Sequence, residues 1–226
     1  DSGPSNIRKW LLERDIVDAI VALPTDMFYN TGIATYIWIV DNDKPEARRG
    51  KVQLIDGTEF YEKMRKKLGD KGRELSEANR ATIVKLYADY VETEHCKIVP
   101  SNEFAYWSIT VERPQRDENG EVITNTRGKV QPDASLRDTE RVPFTYNGNT
   151  KGDAGRDETV QAYFEAEVKP YVPDAWVDEK KTKIGYEIQF TRYFYRYQPP
   201  RPLEEIDSEL QQVTREIQAL LTEVVA

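Results

Sequence analysis

Two nearly continuous apolar segments near the N-terminus constrain the fold of this 226-residue sequence more than any other feature. Residues 16–23 (IVDAIVAL) are almost wholly apolar and are followed by Pro24. Such a run is typical of a strand that is covered on both faces, and the proline stops it. Residues 33–40 (IATYIWIV) are β-branched and aromatic, which predicts a second buried strand.

Further segments predict a mixture of strands and helices. Residues 51–56 predict a third strand, and residues 58–68 predict a helix. A second helix is predicted over residues 76–94, with Ser76 as its N-cap. Residues 116–157 are rich in Asp, Asn, Gly, Thr and Pro and show little periodicity, so we expect a long, partly mobile excursion there.

The C-terminal tail has the most regular pattern. Its apolar residues are spaced alternately three and four apart and form a heptad seam: Leu203, Ile206, Leu210, Val213, Ile217, Leu220 and Val224. An isolated helix of this length is marginal in water, so the stripe needs something to pack against. It is either a terminal helix docked on its own domain or a projecting arm, and the prolines that precede it favour the arm.

Charge is unevenly distributed along the chain. The net charge of −8 argues against a protein that binds nucleic acid over its whole surface, because Lys and Arg supply the affinity for phosphate. Residues 44–73 nevertheless carry ten Lys and Arg against five Asp and Glu, whereas residues 201–226 carry two against six. A basic region and an acidic tail imply different partners.

Several classes of protein are excluded by composition. One cysteine and one histidine cannot form a disulfide or a zinc cluster, so we expect no metal site and a reducing, cytoplasmic location. The longest apolar runs fall well short of the roughly 18 to 20 residues of a membrane helix, so we expect no membrane contact. The first methionine is Met27, and we expect the chain to be part of a longer protein.

Residues 7–40, read as one block (IRKWLLERDIVDAIVALPTDMFYNTGIATYIWIV), point to a known family. This block resembles the modification (M) subunit of type I restriction enzymes, which are N6-adenine DNA methyltransferases. The resemblance continues in order through residues 48–56, 64–75, 104–114, 136–144, 172–178 and 185–207. It therefore covers most of the chain, and the ordered series is highly specific.

The resemblance implies transfer of a methyl group from S-adenosylmethionine to adenine N6 in duplex DNA. The implied partners are DNA, a specificity subunit that chooses the recognition site and a second copy of the modification subunit. The resemblance leaves open whether a restriction nuclease subunit also joins the complex. The glycine-rich turn that binds the methyl donor in this family and its Asn-Pro-Pro-Phe turn are absent from the sequence. We therefore expect the C-terminal portion of the subunit, inactive by itself, with S-adenosylmethionine bound elsewhere in the full subunit.

The implied fold is α/β. It comprises the C-terminal part of a Rossmann-like methyltransferase sheet, with its last helix and antiparallel strands, then a mixed extension and a coiled-coil-type helix. The expected domains are residues 1–75 for the catalytic part, residues 76–200 for the extension and residues 201–226 for a helical arm. In the family this arm docks on the specificity subunit.

The resemblance also implies which residues hold the target base. A methyltransferase flips the adenine out of the duplex, and stacking on an aromatic ring can return roughly 1 to 3 kcal/mol. Phe28 occupies the motif position that supplies this ring, and Tyr29 is its neighbour. Without the resemblance, Phe28 is more simply a core aromatic beside two apolar strands. Asn30 and Thr31 are weaker candidates that either line the pocket or only form the turn.

Basic residues follow this loop in the sequence. Lys66, Lys67, Lys71 and Arg73 are candidates for contacts with the DNA backbone. Such contacts position a protein without specifying sequence, which suits a subunit whose target is chosen by a partner. The alternative is a solvated helix end with no DNA contact.

Two functions follow from these residues. In the first, the chain is part of an adenine-N6 methyltransferase and contributes the base-stacking loop and backbone contacts. In the second, it is a non-catalytic assembly module that binds the specificity subunit through the heptad helix. The two are compatible, and substitutions in the loop and in the seam separate them.

Overall fold

The computed structural model describes residues 3–197 and 199–225, and within α5 it leaves the side chains of residues 219 and 222–225 undescribed. The helices are α1 (Gly3–Glu13), α2 (Glu77–Asp89), α3 (Arg156–Tyr163), α4 (Phe190–Phe194) and α5 (Leu203–Val225). The strands are β1 (Val17–Leu23), β2 (Thr35–Val40), β3 (Lys51–Asp56), β4 (Glu62–Leu68), β5 (Lys71–Glu74), β6 (Cys96–Pro100), β7 (Ala105–Glu112), β8 (Asp138–Pro143), β9 (Trp176–Val177) and β10 (Lys183–Tyr186). The fold is mixed α/β.

The first sheet has four strands in the order β2-β1-β3-β6. Strand β1 pairs antiparallel with β2 and parallel with β3, and β3 pairs antiparallel with β6. Every residue of β1 is buried, as its apolar sequence predicts. The predicted strand at residues 51–56 is also confirmed, because β3 has these bounds.

Side chains of the first sheet alternate between two apolar cores. Ile20 and Leu54 belong to the core that also contains Trp107 of the second sheet, whose strands have the order β10-β7-β8 with β9 beside β7. Val21 and Ile55 belong to a smaller core that includes the apolar side of α2. Strand β1 is therefore covered by α2 on one face and by the second sheet on the other.

A polar network ties α2 to the first sheet. The buried Asp18 carboxylate accepts hydrogen bonds from the Arg48 guanidinium (3.1 Å) and from the Tyr87 hydroxyl (2.6 Å). Arg48 also lies over the rings of Tyr87 and Tyr90. The hydrogen bond to Asp18 raises the pKa of Tyr87 above its ordinary value, because the neutral phenol is the form that donates. The one charged residue of β1 is thus paired rather than isolated.

The prediction that residues 33–40 form a buried strand is only half right. Strand β2 is present, but most of its side chains are exposed, including Tyr36, Ile37 and Trp38. The reason is position in the sheet: β2 lies at an edge, and among the described elements only β1 pairs with it.

The prediction of a helix over residues 58–68 is wrong. Residues of this segment form β4, which pairs antiparallel with β5 around a turn at Gly69 and Asp70. Gly69 has a φ of +63°, which a tight hairpin turn permits and a helix does not. Tertiary contacts of this hairpin outweigh the modest helix propensity of its Lys-rich sequence.

The segment 116–157 has more regular structure than predicted. It contains strand β8 and two small hairpins, closed by bridges between Arg116 and Val122 and between Thr124 and Val130. The side chains of Asp117 and Asn125 each accept two backbone N–H groups within these turns. Asp and Asn residues, whose abundance suggested an irregular excursion, serve here as turn formers.

The C-terminal tail is helical, as its spacing predicts. The chain divides into two compact units, one up to Phe194 and the other from Tyr195, and α5 lies in the second. The seam side chains of α5 from Leu203 to Leu220 are exposed, and the Val224 side chain lies outside the described set. Among the described helices, none combines the length and apolar character needed to cross a membrane.

The domain boundaries stay predictions. Strand β6 lies beyond residue 75 and pairs with β3 before it, so the first compact unit runs across the expected boundary.

Candidate functional site

The loop that joins β1 to β2 projects from the first sheet. Strand β1 ends before Pro24, and a bridge between Phe28 and Thr31 closes a tight turn at the loop tip. The rings near this tip are accessible, since Phe28 is 48% exposed and Tyr29 is 58% exposed. The structure therefore places both predicted stacking residues at the surface rather than in the core.

Asn30 and Thr31 contribute to the turn itself. Asn30 is at its tip and exposed, and the Thr31 hydroxyl accepts the Ile33 N–H at 3.3 Å. These positions agree with the turn-forming alternative for the two residues. Neither has a described contact that assigns it to a pocket.

The β4–β5 hairpin lies directly against this loop. The Asp70 N–H donates to the Tyr29 carbonyl oxygen at 2.9 Å, and the Gly72 N–H donates to the Asp26 carbonyl oxygen at 3.0 Å. The Arg73 N–H reaches the same Asp26 oxygen at 3.2 Å. Backbone groups of the hairpin thus hold the loop near its start, at Asp26, and at its tip, at Tyr29.

Gly69 is a functional candidate that sequence reasoning missed. A Cβ atom at this position would lie 2.6 Å from the Tyr29 carbonyl oxygen, and the backbone has a φ of +63°. Both facts require glycine. The Gly-Asp pair between two Lys-rich segments is a recognised turn signal, and it could have indicated the hairpin.

The predicted basic residues separate into two groups in the structure. Lys66 and Lys67 are exposed and lie in an irregular stretch of β4, where the residues between Lys63 and Leu68 oppose Gly72. Such a bulge redirects side chains away from the ladder. The Lys71 ammonium lies 5.8 Å from the centre of the Tyr29 ring, within the range of a cation–π contact.

Arg73, in contrast, is engaged within the protein. Its Nη1 donates to the Thr25 hydroxyl at 2.8 Å, and its guanidinium lies 4.2 Å from the centre of the Tyr61 ring. This side chain holds the start of the loop against the hairpin. Of the four predicted cations, Lys66 and Lys67 are exposed, whereas Lys71 and Arg73 are half-buried.

The side chains of this surface have the chemistry that stacking and phosphate contacts require. Two exposed rings can stack on a flat ligand, and the neighbouring ammonium groups can contact phosphate. In the part of the chain that the structure describes, no group of three or more His, Cys, Asp and Glu residues is placed to hold a metal ion.

Glu112 lies in a separate buried cluster in the second sheet. It is 1% exposed and accepts hydrogen bonds from Arg137 Nε at 2.9 and 3.0 Å and from Lys181 Nζ at 2.7 Å. Burial alone raises the pKa of its carboxyl, but the hydrogen bonds from the two cations outweigh burial and lower the pKa. Both cations are protein side chains, so this cluster is complete and structural.

Comparison with known families decides where the chain belongs. The family model for N-6 DNA methylases matches residues 2–128, which are more than half of the chain and include both the loop and the hairpin. The chain belongs to this family. The resemblance to type I modification subunits is thereby confirmed at the level of the family.

The curated relatives that this chain matches include methylase subunits of type I restriction enzymes. The MjaVIII methylase subunit of Methanocaldococcus jannaschii is 35% identical over 100 residues, covering 43% of this chain and 17% of the relative. The HindI methylase subunit of Haemophilus influenzae is 36% identical over 59 residues, covering 26% of this chain and 13% of the relative. The chain therefore spans less than a fifth of the length of these relatives.

A solved structure with partial similarity has the same description. The type I restriction-modification methyltransferase subunit from Streptococcus thermophilus is 22% identical, with a TM-score of 0.40, and covers 46% of this chain and 21% of that one.

Proposed function

We propose that this chain is the C-terminal portion of a type I restriction-modification DNA methyltransferase subunit that methylates adenine N6. In this proposal the loop of residues 25–32 stacks on the flipped adenine through Phe28, with Tyr29 beside it. Lys66, Lys67 and Lys71 contact the DNA backbone, and Arg73 holds the loop. The full subunit acts in the cytoplasm with a specificity subunit and a second modification subunit. Whether a restriction nuclease subunit joins them is left open by this proposal.

One observation supports this function above the others. Two exposed rings project from a loop whose backbone is hydrogen-bonded to a hairpin with accessible lysines. A flipped base needs a stacking surface, and the strand from which it comes needs phosphate contacts beside that surface. The loop and the hairpin provide both within one small region of the molecule.

The methyl donor is expected to bind outside this segment. The chain has one parallel strand pair, β1 with β3, among the described strands. The turn after β1 begins Pro24-Thr25-Asp26 and the turn after β3 begins Gly57-Thr58, so neither is glycine-rich. These residues do not form the donor site that the family implies. We therefore expect the chain alone to be inactive.

The sheet also supports an origin in a larger domain. We propose that β1, β2 and β3 belong to the C-terminal part of a Rossmann-like methyltransferase sheet. The free edge of β2 and its exposed apolar side chains would then be covered by the rest of the subunit.

Replacing Phe28 with alanine tests the stacking role. The full subunit that contains this segment, assembled with its specificity subunit, is expected to lose methylation by about 5- to 150-fold, since stacking is worth roughly 1 to 3 kcal/mol. Assembly and DNA binding to the duplex are expected to stay near wild type. Methyl transfer from radiolabelled S-adenosylmethionine and gel filtration of the complex measure the two effects.

The matched control is Tyr171→Ala, which removes an 83% exposed ring far along the chain from the loop. This control is expected to leave methylation unchanged. Equal methylation by Phe28→Ala and the wild type would reject the stacking role.

A second function rests on a different element. The exposed apolar seam of α5 favours an assembly role, because an apolar stripe on a long helix is stable only when it packs against another surface. We propose that this seam docks on helices of the specificity subunit. Substitutions in the seam are then expected to weaken docking while the base-stacking loop stays intact.

A further inference from the structure

The base-stacking loop has few connections to the sheet from which it projects. Apart from the ladder between β1 and β2 and the local bond from the Ile33 N–H to the Thr31 hydroxyl, the hydrogen bonds described between residues 25–32 and the rest of the chain all end on the hairpin. Three are backbone bonds from Asp70, Gly72 and Arg73, and the fourth runs from the Arg73 side chain to Thr25. The place of the loop tip therefore depends on where the hairpin holds it.

The contact nearest the rings is made by the turn of the hairpin. The Asp70 N–H binds the carbonyl oxygen of Tyr29, which follows Phe28 in the chain. Gly69 stands over the same oxygen, and a Cβ there would approach to 2.6 Å. Real side chains essentially never approach a backbone oxygen so closely, so any other residue forces the turn and the loop apart.

We propose that the Gly69–Asp70 turn positions the base-stacking loop, with Gly69 as the residue that permits the contact. This inference rests on the function proposed above for the loop. The hairpin carries Lys66 and Lys67, so the same element that binds the DNA backbone sets the position of the rings that receive the base. Gly69 touches neither DNA nor base and acts only through Tyr29.

The position of a reacting group has a large effect on rate. A misplacement of about 1 Å can cost on the order of 10²-fold in catalysis even when it arises outside the reacting centre. Gly69→Ala is therefore expected to lower kcat for methylation by about 10- to 100-fold. The KM for DNA is expected to change less than about twofold, because the lysines of the hairpin are retained.

The chain offers a matched control for backbone strain. Gly128 has a φ of +75°, also in a small hairpin, but nothing lies within 4 Å of a Cβ at that position. Gly128→Ala therefore introduces a comparable unfavourable conformation without the collision. Thermal unfolding of both variants of this chain is expected to differ little, since both turns are on the surface.

Two measurements beside activity report on the contact between hairpin and loop. The Asp70, Gly72 and Arg73 amides donate to loop carbonyls, so hydrogen exchange of this chain is expected to be faster, by about tenfold or more, in the peptide over residues 70–74 for Gly69→Ala but not for Gly128→Ala. In the assembled enzyme, DNA with 2-aminopurine in place of the target adenine is expected to lose its extrusion-dependent fluorescence change with Gly69→Ala.

The outcomes separate this inference from the proposed function. If Phe28→Ala impairs methylation and the 2-aminopurine signal while Gly69→Ala behaves as wild type, the positioning role is wrong and the stacking function stands. Equal loss in Gly69→Ala and Gly128→Ala would also overturn the positioning role, because strain alone would explain it. If Phe28→Ala and Tyr29→Ala both keep full activity and signal, the proposed function itself fails.

Discussion

Glu112 carries a charge in the interior of the second sheet, and its two cationic partners make that burial tolerable. Its carboxylate accepts three hydrogen bonds from Arg137 and Lys181, whose side chains reach outward to solvent. Because the pKa in the folded state is lowered, the stabilisation is present above the ordinary glutamate pKa of about 4.3 and is lost as pH falls through the lower folded value.

Glu112→Gln is therefore expected to lower the free energy of unfolding at pH 7 by about 1–3 kcal/mol, because two donors lose a charged acceptor. The pH dependence of stability below about pH 4.3 is expected to become shallower than in the wild type. Urea titrations between pH 3 and pH 7 measure both effects. Glu165→Gln, on an exposed carboxylate with an exposed lysine partner, is the control and should cost less than about 0.5 kcal/mol. An unchanged pH profile in Glu112→Gln would contradict this account.

Phe28 and Gly69 differ in how well their roles can be recognised from the sequence. The position of Phe28 follows from a resemblance that spans neighbouring residues, and the structure leaves its ring accessible. Gly69 was not identified, because its role depends on a backbone oxygen of Tyr29, which is distant in sequence. A contact between two backbone groups leaves no side-chain pattern that can be recognised in one sequence.

Elements defined by local physics were predicted well. Strand β1 follows from its apolar run, and α2 begins after Ser76, whose hydroxyl accepts the Asn79 N–H as a helix cap does, but the helix ends at Asp89 rather than at residue 94. Residues 58–68, which contain β4, were wrongly predicted to be a helix because the stability of the hairpin comes from pairing with β5 and from contacts with the loop. Tertiary contacts, rather than helix propensity, determine the secondary structure of that segment.

The hairpin makes a testable electrostatic prediction. If Lys66 and Lys67 contact phosphates, replacing both with glutamine is expected to make DNA binding less sensitive to salt. The slope of the logarithm of the DNA-binding constant against the logarithm of salt concentration should fall in magnitude by about 0.9 for each phosphate that is no longer neutralised. The affinity of the assembled enzyme for DNA is measured by filter binding or fluorescence anisotropy between roughly 50 and 200 mM salt, because counterion release changes affinity strongly over this range. Lys151→Gln, at a lysine paired with Glu158, should leave the slope unchanged. If the double variant has the same slope as the wild type, the two lysines do not contact phosphates.

Helix α5 makes a second prediction, about assembly. Leu210→Glu or Ile217→Glu is expected to weaken binding of the specificity subunit by at least about tenfold, since burying one such side chain is worth about 1.5–3 kcal/mol. Gln211→Glu adds the same charge next to the seam and is the matched control. Affinity is measured by calorimetry or co-purification. If the seam variants bind normally but fail in methylation as Phe28→Ala does, the division between loop and helix is wrong.

The molecule as a whole has a buried apolar core and one sheet edge, at β2, that no described strand covers. Strand β1 and the second sheet enclose a continuous apolar core, yet β2 exposes apolar side chains on both faces and leaves one edge without a described partner. This imbalance agrees with a chain that spans less than a fifth of its curated relatives.

An exposed apolar edge strand is a template for pairing with another chain. We therefore expect this chain alone to self-associate at micromolar to millimolar concentration, and Ile37→Lys to reduce the association because a charge on an edge strand disfavours it. Ile37 is 48% exposed, so the substitution is expected to change the free energy of unfolding by less than about 0.5 kcal/mol. Sedimentation velocity over a concentration series measures the effect. Val84→Lys, at an exposed position on α2, is the control that adds the same charge elsewhere. A wild-type chain that stays monomeric throughout the series would show that the edge of β2 is already protected.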